Sequence, residues 1–169
     1  MSDYNRTTRE CQVSQLHPEV LLALRNYFQE QKLGDPEAET VLCCETISTK
    51  KNMGRLVAWL HGTVDTTVHT GMLLTSQQLI WVRSGDQSGT SLSAANLNFI
   101  SVRPYTSIFV RDKGLEINGY LDGSKAPIRG YIGMGSETAA QKFCDEVSQA
   151  ITKMNPPKQK KAWSKWMGG

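Results

Sequence analysis

Apolar positions recur at two different periods along the chain, and the switch between them divides it. In the run HPEVLLALRNYFQEQKLG, Leu21, Leu24 and Phe28 recur at helical spacing on one face. Pro18 suits a first helical position, Glu19 and Glu30 sit among good helix formers, and Gly34 with Asp35–Pro36 ends the pattern. A helix is expected over 16–34. From Val41 the period becomes that of strands: VLCCETIST, RLVAWLHG, HTGMLLT, LIWVRSG, NFISVRPY, SIFVRD, LEINGYL and APIRGYI are short and partly β-branched or aromatic. The joints KKNMG, TSQQ, SGDQSG, DKG and LDGSK supply Gly or Asp where a turn needs positive φ. Eight such segments predict sequential antiparallel pairing into a sandwich or small barrel.

The helical period then returns. Ser136 is positioned to cap a helix in which Ala140, Cys144, Val147, Ile151 and Met154 follow at spacings of three and four, ended by Asn155–Pro156–Pro157. An amphipathic helix placed after strands suits the open end of a barrel. Residues 1–15 are polar and aperiodic and are expected to form a loose leader.

Composition adds limits. Hydrophobic residues make up 39% of the chain and charged residues 21%, which argues for folding rather than wholesale disorder. No run approaches the roughly 18 apolar residues of a membrane span, and the N-terminus lacks the apolar stretch of a signal peptide. A cytosolic protein, or one peripheral to a membrane, is expected. Cys11, Cys43, Cys44 and Cys144 are too irregularly spaced for a disulfide framework and fit free thiols. On a strand, Cys43 and Cys44 point to opposite faces and are better read as buried structural thiols than as a chelating pair. The net charge of +3 is unevenly distributed: of 19 basic residues, Lys158, Lys160, Lys161 and Lys165 lie in the last fifteen positions, which hold no acid. This leaves 15 basic against 16 acidic residues elsewhere.

The stretch GMLLTSQQLIWVRSGD, residues 71–86, resembles the central hairpin of bacterial pleckstrin-homology-like and GRAM-like domains: a Gly, an apolar strand ending in Thr, a short turn and a Leu-Ile-aromatic strand. The agreement in order continues through a strand at Asn98–Arg103, two hairpin strands around Asp112–Gly114, and a last strand before a terminal helix. It covers about residues 38–154. The resemblance implies an α+β, mainly β fold. Its antiparallel barrel or sandwich of about seven strands is closed by the C-terminal amphipathic helix, with the N-terminal helix as an addition. It also implies that the loop between the first two strands is the place for phosphoinositide contacts, which here offers Lys50, Lys51 and Arg55 with Gly54 between them. A solvated hairpin tip is the competing reading of that loop.

His61 and His69 flank GTVDTTV, with Asp65 between them, but nothing in the spacing makes the three converge as metal ligands or as a base with its orienting carboxylate. Two partly exposed histidines are the preferred reading. The sequence holds no phosphate-cradling Gly-rich loop, zinc-type cysteine pairs or nucleophile elbow, so neither an enzyme nor a cofactor is called for. The tail 155–169 is richer. Trp163 and Trp166 alternate with Lys158, Lys160, Lys161 and Lys165, a composition suited to an anionic membrane surface or a partner's groove and equally to a solubilising tail. These features point to a non-enzymatic binding module that engages a membrane surface or a protein partner. The alternative is an assembly or scaffold subunit of a larger complex, packed against other chains with the tail ordered on binding, a reading motivated by Trp59, Trp81 and Phe109 as more apolar groups than a small barrel buries. Nucleic-acid binding is the weakest reading, because the body of the chain is nearly neutral.

Overall fold

The computed structural model describes residues 4–51, 65–107 and 112–156. The chain is mainly antiparallel β with few helices. Strands β1 (Tyr4–Glu10), β2 (Thr40–Lys50), β3 (Thr67–Thr75), β4 (Gln78–Gly85) and β5 (Gly89–Asn96) form one sheet in sequence order. Strands β6 (Ile100–Ser107), β7 (Asp112–Gly119) and β8 (Ile128–Met134) form a second. Helix α1 (Pro18–Gln31) and the single turn α2 (Pro36–Glu39) lie between β1 and β2, and α3 (Thr138–Met154) follows β8.

The alternation of apolar residues along the strands builds two cores. Cys44, Met72, Leu74, Leu79, Ala95, Leu115, Ile117 and Ile132 meet between the sheets, and Ala140, Phe143, Cys144 and Val147 of α3 complete that layer. On the opposite face of the five-stranded sheet, Cys43, Leu73, Ile80, Val82 and Ala94 receive Val20, Leu24 and Phe28 of α1. Each fully buried Val, Leu, Ile, Phe or Met among them stabilises by about 1.5–3 kcal/mol, and the alanines by less. Cys43 and Cys44 do point to opposite faces, one into each core. Gly71 lets α1 approach, since a Cβ there would lie 2.5 Å from Val20 Cγ1.

Several expectations are corrected. Of the barrel or sandwich expected within an α+β, mainly β fold, the barrel falls: the two sheets are not closed into one among the described residues. β5 and β6 belong to different sheets, joined through a 3-10 turn at Leu97–Phe99, and no ladder joins β1 to β8: Thr8 Oγ1 of β1 accepts from the N–H of Gly135, the residue after β8. The leader is not loose: β1 pairs with β2 from Tyr4↔Lys50 to Glu10↔Cys44. Its inward residue Thr8 bonds Thr46 (Oγ1 to Oγ1, 2.8 Å), accepts from the Gly135 N–H (2.8 Å) and donates its own N–H to Glu137 (2.9 Å). This burial is made by hydrogen bonds, so no apolar alternation signals it. The expected turn at Asp112–Gly114 is the start of β7, because Asp112 to Gly114 pair with Ser107 to Tyr105. β5, with its small and polar residues, was not anticipated. Helix α3 takes Glu137 rather than Ser136 as its N-cap, and α1 ends on left-handed Lys32 (φ 55°) before Gly34 is reached.

Residues 16–34 do contain a helix, but its deepest stripe is Val20, Leu24 and Phe28, with Leu21 only half-buried. Strand RLVAWLHG and residues Arg55, Trp59, His61 and Phe109 lie outside the described residues. So do Lys158, Lys160, Lys161, Trp163, Lys165 and Trp166.

Candidate functional site

The three-stranded sheet buries one face on the core and presents the other outward. Alternation along its strands decides the composition of that outer face. Val102, Leu115, Ile117 and Ile132 turn inward, so Ser101, Arg103 and Tyr105 of β6, Glu116 and Asn118 of β7, and Arg129 and Tyr131 of β8 turn out.

Register brings these residues into one constellation. Arg103 lies directly opposite Glu116, and Arg129 lies one diagonal step away, opposite Asn118. Glu116 accepts from Arg129 twice (Nε to Oε1 and Nη2 to Oε2, each 3.0 Å), from Arg103 Nη2 (3.0 Å) and from Asn118 Nδ2 (2.9 Å). The carboxylate is 3% exposed, whereas the side chains of Arg103 and Arg129 are 63% and 67% exposed. These bonds, led by Arg129 and followed by Asn118 and Arg103, hold the Glu116 carboxyl down at about 2. Beside the clamp, Tyr105 and Tyr131 meet edge to face with centroids 4.7 Å apart, and the Tyr131 hydroxyl donates to the Lys113 carbonyl (2.6 Å). Burial pushes the Tyr131 phenol up to about 12, with nearby Arg6 opposing. Arg6 lies against Gly133, where a Cβ would come within 2.5 Å of its Nε. An open cavity of about 400 Å³ is bordered by Tyr105, Glu116, Arg129, Gly130 and Tyr131.

A second polar cluster lies on the opposite side of the molecule, under the start of α1. Glu45, 2% exposed, accepts from Arg9 (Nη2, 2.6 Å; Nε, 3.1 Å) and from the His17 N–H (3.0 Å). His69 stacks on His17 with centroids 4.0 Å apart, and its Nδ1 is 3.5 Å from Glu45. Glu19 accepts from Ser84 Oγ, which holds its carboxyl below the ordinary range. This cluster fastens α1 to β1–β4. Asp65 is committed elsewhere: it accepts from the N–H groups of Gln87 (2.7 Å) and Ser88 (2.8 Å) and from Ser88 Oγ (2.7 Å), closing the β4–β5 turn. It therefore does not pair with His69. Among the described residues, no three His, Cys, Asp or Glu side chains converge as a metal site.

Of the residues singled out from sequence, Lys50 ends β2 and Lys51 follows it, both half-buried, while Arg55 lies outside the described residues. Trp81 packs against the inter-sheet core and is no surplus apolar group. The Arg103–Glu116–Arg129 clamp and the tyrosine pair were missed by sequence reasoning. Their signal was the polar or aromatic residue at every second place of NFISVRPY, LEINGYL and APIRGYI. No described helix is long and apolar enough to cross a membrane. No protein-family model, curated protein or solved structure matches this chain.

Proposed function

We propose that the chain is a non-enzymatic, pleckstrin-homology-like binding module whose outer β6–β8 face docks an acidic segment of a protein partner. Among the described residues, the run of strands β2 to β8, with β1 added at the edge of the first sheet, and the amphipathic helix that follows support the family reading. The observation that carries the docking reading is the buried Glu116 holding two exposed arginines in fixed positions beside a tyrosine pair.

Arginine and tyrosine are the side chains enriched at the energetic centres of protein interfaces. A guanidinium fork already ordered by Glu116 loses less side-chain freedom on meeting a second carboxylate than a free lysine does. Two guanidinium groups, those of Arg103 and Arg129, share the one Glu116 carboxylate, so the patch favours an acidic occupant. A scaffold subunit would use the same face in a permanent contact. A membrane module would instead rely on Lys50, Lys51 and the tail lysines.

The test titrates the full chain, by fluorescence anisotropy, into a labelled Glu- and Asp-rich peptide carrying one Trp. In parallel, the chain is co-sedimented with vesicles with and without anionic lipid. Saturable peptide binding, weakened about tenfold or more by Arg103→Lys with Arg129→Lys, supports the reading. Peptide binding indifferent to those substitutions contradicts it. Pelleting with anionic vesicles that is lost when the chain ends at Asn155, without peptide binding, assigns the function to a membrane surface instead.

A further inference from the structure

We propose that Cys11 and Cys43 are a redox-active dithiol that a hydroperoxide converts to an intrachain disulfide, stapling the end of β1 to β2. The site is separate from the β6–β8 face and does not depend on the partner reading.

The two sulfurs are 3.8 Å apart. Cys11 continues the β1–β2 ladder: its N–H donates to the Cys43 carbonyl (3.1 Å), one step beyond the Glu10↔Cys44 pair. Directly opposed antiparallel residues have Cα atoms about 4.5–5.5 Å apart, inside the roughly 4.4–6.8 Å that a disulfide spans. Closing the bond brings the sulfurs from 3.8 Å to about 2.05 Å, a movement of the size that side-chain rotation supplies.

The two thiols differ in the way the chemistry requires. Cys11 is partly exposed whereas Cys43 is 4% exposed, and both border a surface cavity of about 220 Å³ with Gln12, Glu37 and Thr40. The hydrogen bond between the two sulfurs, in which either can donate, draws the Cys11 thiol below its ordinary range together with the Arg9 guanidinium. The same bond and burial push Cys43 far up. Burial of Cys11 opposes its shift most, followed by Glu45 and Glu10. Cys11 is thus the accessible nucleophile and Cys43 the resolving thiol. The remaining thiols stay apart, Cys44 facing the inter-sheet core and Cys144 directed at Met134 Sδ (3.9 Å).

In the first step the Cys11 thiolate attacks the distal oxygen of the hydroperoxide. An S–O bond forms, the O–O bond breaks, and the alkoxide leaves as the alcohol after taking a proton. Cys43 sulfur then attacks the sulfenic sulfur. The S–S bond forms, the S–O bond breaks, and the departing hydroxide takes the Cys43 proton and leaves as water. Two thiol sulfurs are oxidised and one peroxide is reduced.

The reduced full chain is treated with equimolar hydrogen peroxide, unfolded, alkylated and mapped by mass spectrometry. The expected result is a loss of about 2 Da with one Cys11–Cys43 cross-linked peptide, Cys44 and Cys144 remaining alkylatable. Because the bridge closes a loop containing α1 and α2, the oxidised chain should melt about 5–10 °C higher, a gain reversed by dithiothreitol. Cys11→Ser, which alters a partly exposed side chain, should abolish both changes. Four alkylatable thiols after treatment, a bridge to Cys44, or Cys11 accumulating as sulfinic acid without a bridge each overturn the proposal.

Discussion

Arg129 reaches along the outer sheet face to Glu116 and places Nε and Nη2 each 3.0 Å from one of its two carboxylate oxygens. The pair is rigid because both strands are in register and Arg103 grips the same carboxylate from the other side. An acid buried on a solvent-facing sheet, with its cations exposed, turns two flexible arginines into fixed forks.

The first consequence is pH dependence. Glu116 has its folded value depressed to about 2 from 4.5, so its contribution to stability is complete above pH 4.5 and is lost as pH falls toward 2. Urea unfolding of the native chain and of Glu116→Gln from pH 7 downward should give midpoints well separated at neutral pH and converging in acid. A constant separation would contradict the ion clamp.

Gly71→Ala should destabilise by about 1–3 kcal/mol, because the new methyl drives into Val20 and Leu16 and must displace α1. Gly130→Ala is the control: its Cβ would meet nothing closer than Ile128 Cδ1 at 3.4 Å, and thermal melts should show a much smaller change.

Much of this organisation was legible in sequence, and the failures share a cause. Segments such as HTGMLLT and LIWVRSG carry apolar alternation and became β3 and β4, and the Ala140–Met154 pattern became α3. β1 and β5 lacked that signal. Thr8 is buried by hydrogen bonds to Thr46, Gly135 and Glu137, and GTSLSAAN packs through small residues such as Ala94 and Ala95. The Glu116 clamp was hidden for another reason: its members come from three strands, and only the register makes them neighbours. Cys11 and Cys43 were likewise distant in sequence until β1 formed.

Arg9→Ala should cost about 1–2 kcal/mol, because it leaves the buried Glu45 carboxylate with the His17 N–H but without its guanidinium partner. In a double-mutant cycle, Glu45→Gln should remove most of that penalty. Additive effects would show that Arg9 acts independently of Glu45.

Phe143→Ala should cost about 3–5 kcal/mol, since Phe143 is fully buried where α3 meets both sheets. Leu22→Ala, at a side chain 61% exposed, should change stability by no more than about 0.5 kcal/mol. Equal effects would place α3 off the core.

The most direct measurement of the docking surface is a backbone-amide NMR titration of the intact chain with the acidic Trp-containing peptide. The account predicts saturable shifts concentrated at Arg103, Tyr105, Glu116, Arg129 and Tyr131, with the α1 face unaffected. Shifts absent from that face, or gathered around Lys50 and Lys51 instead, would contradict it.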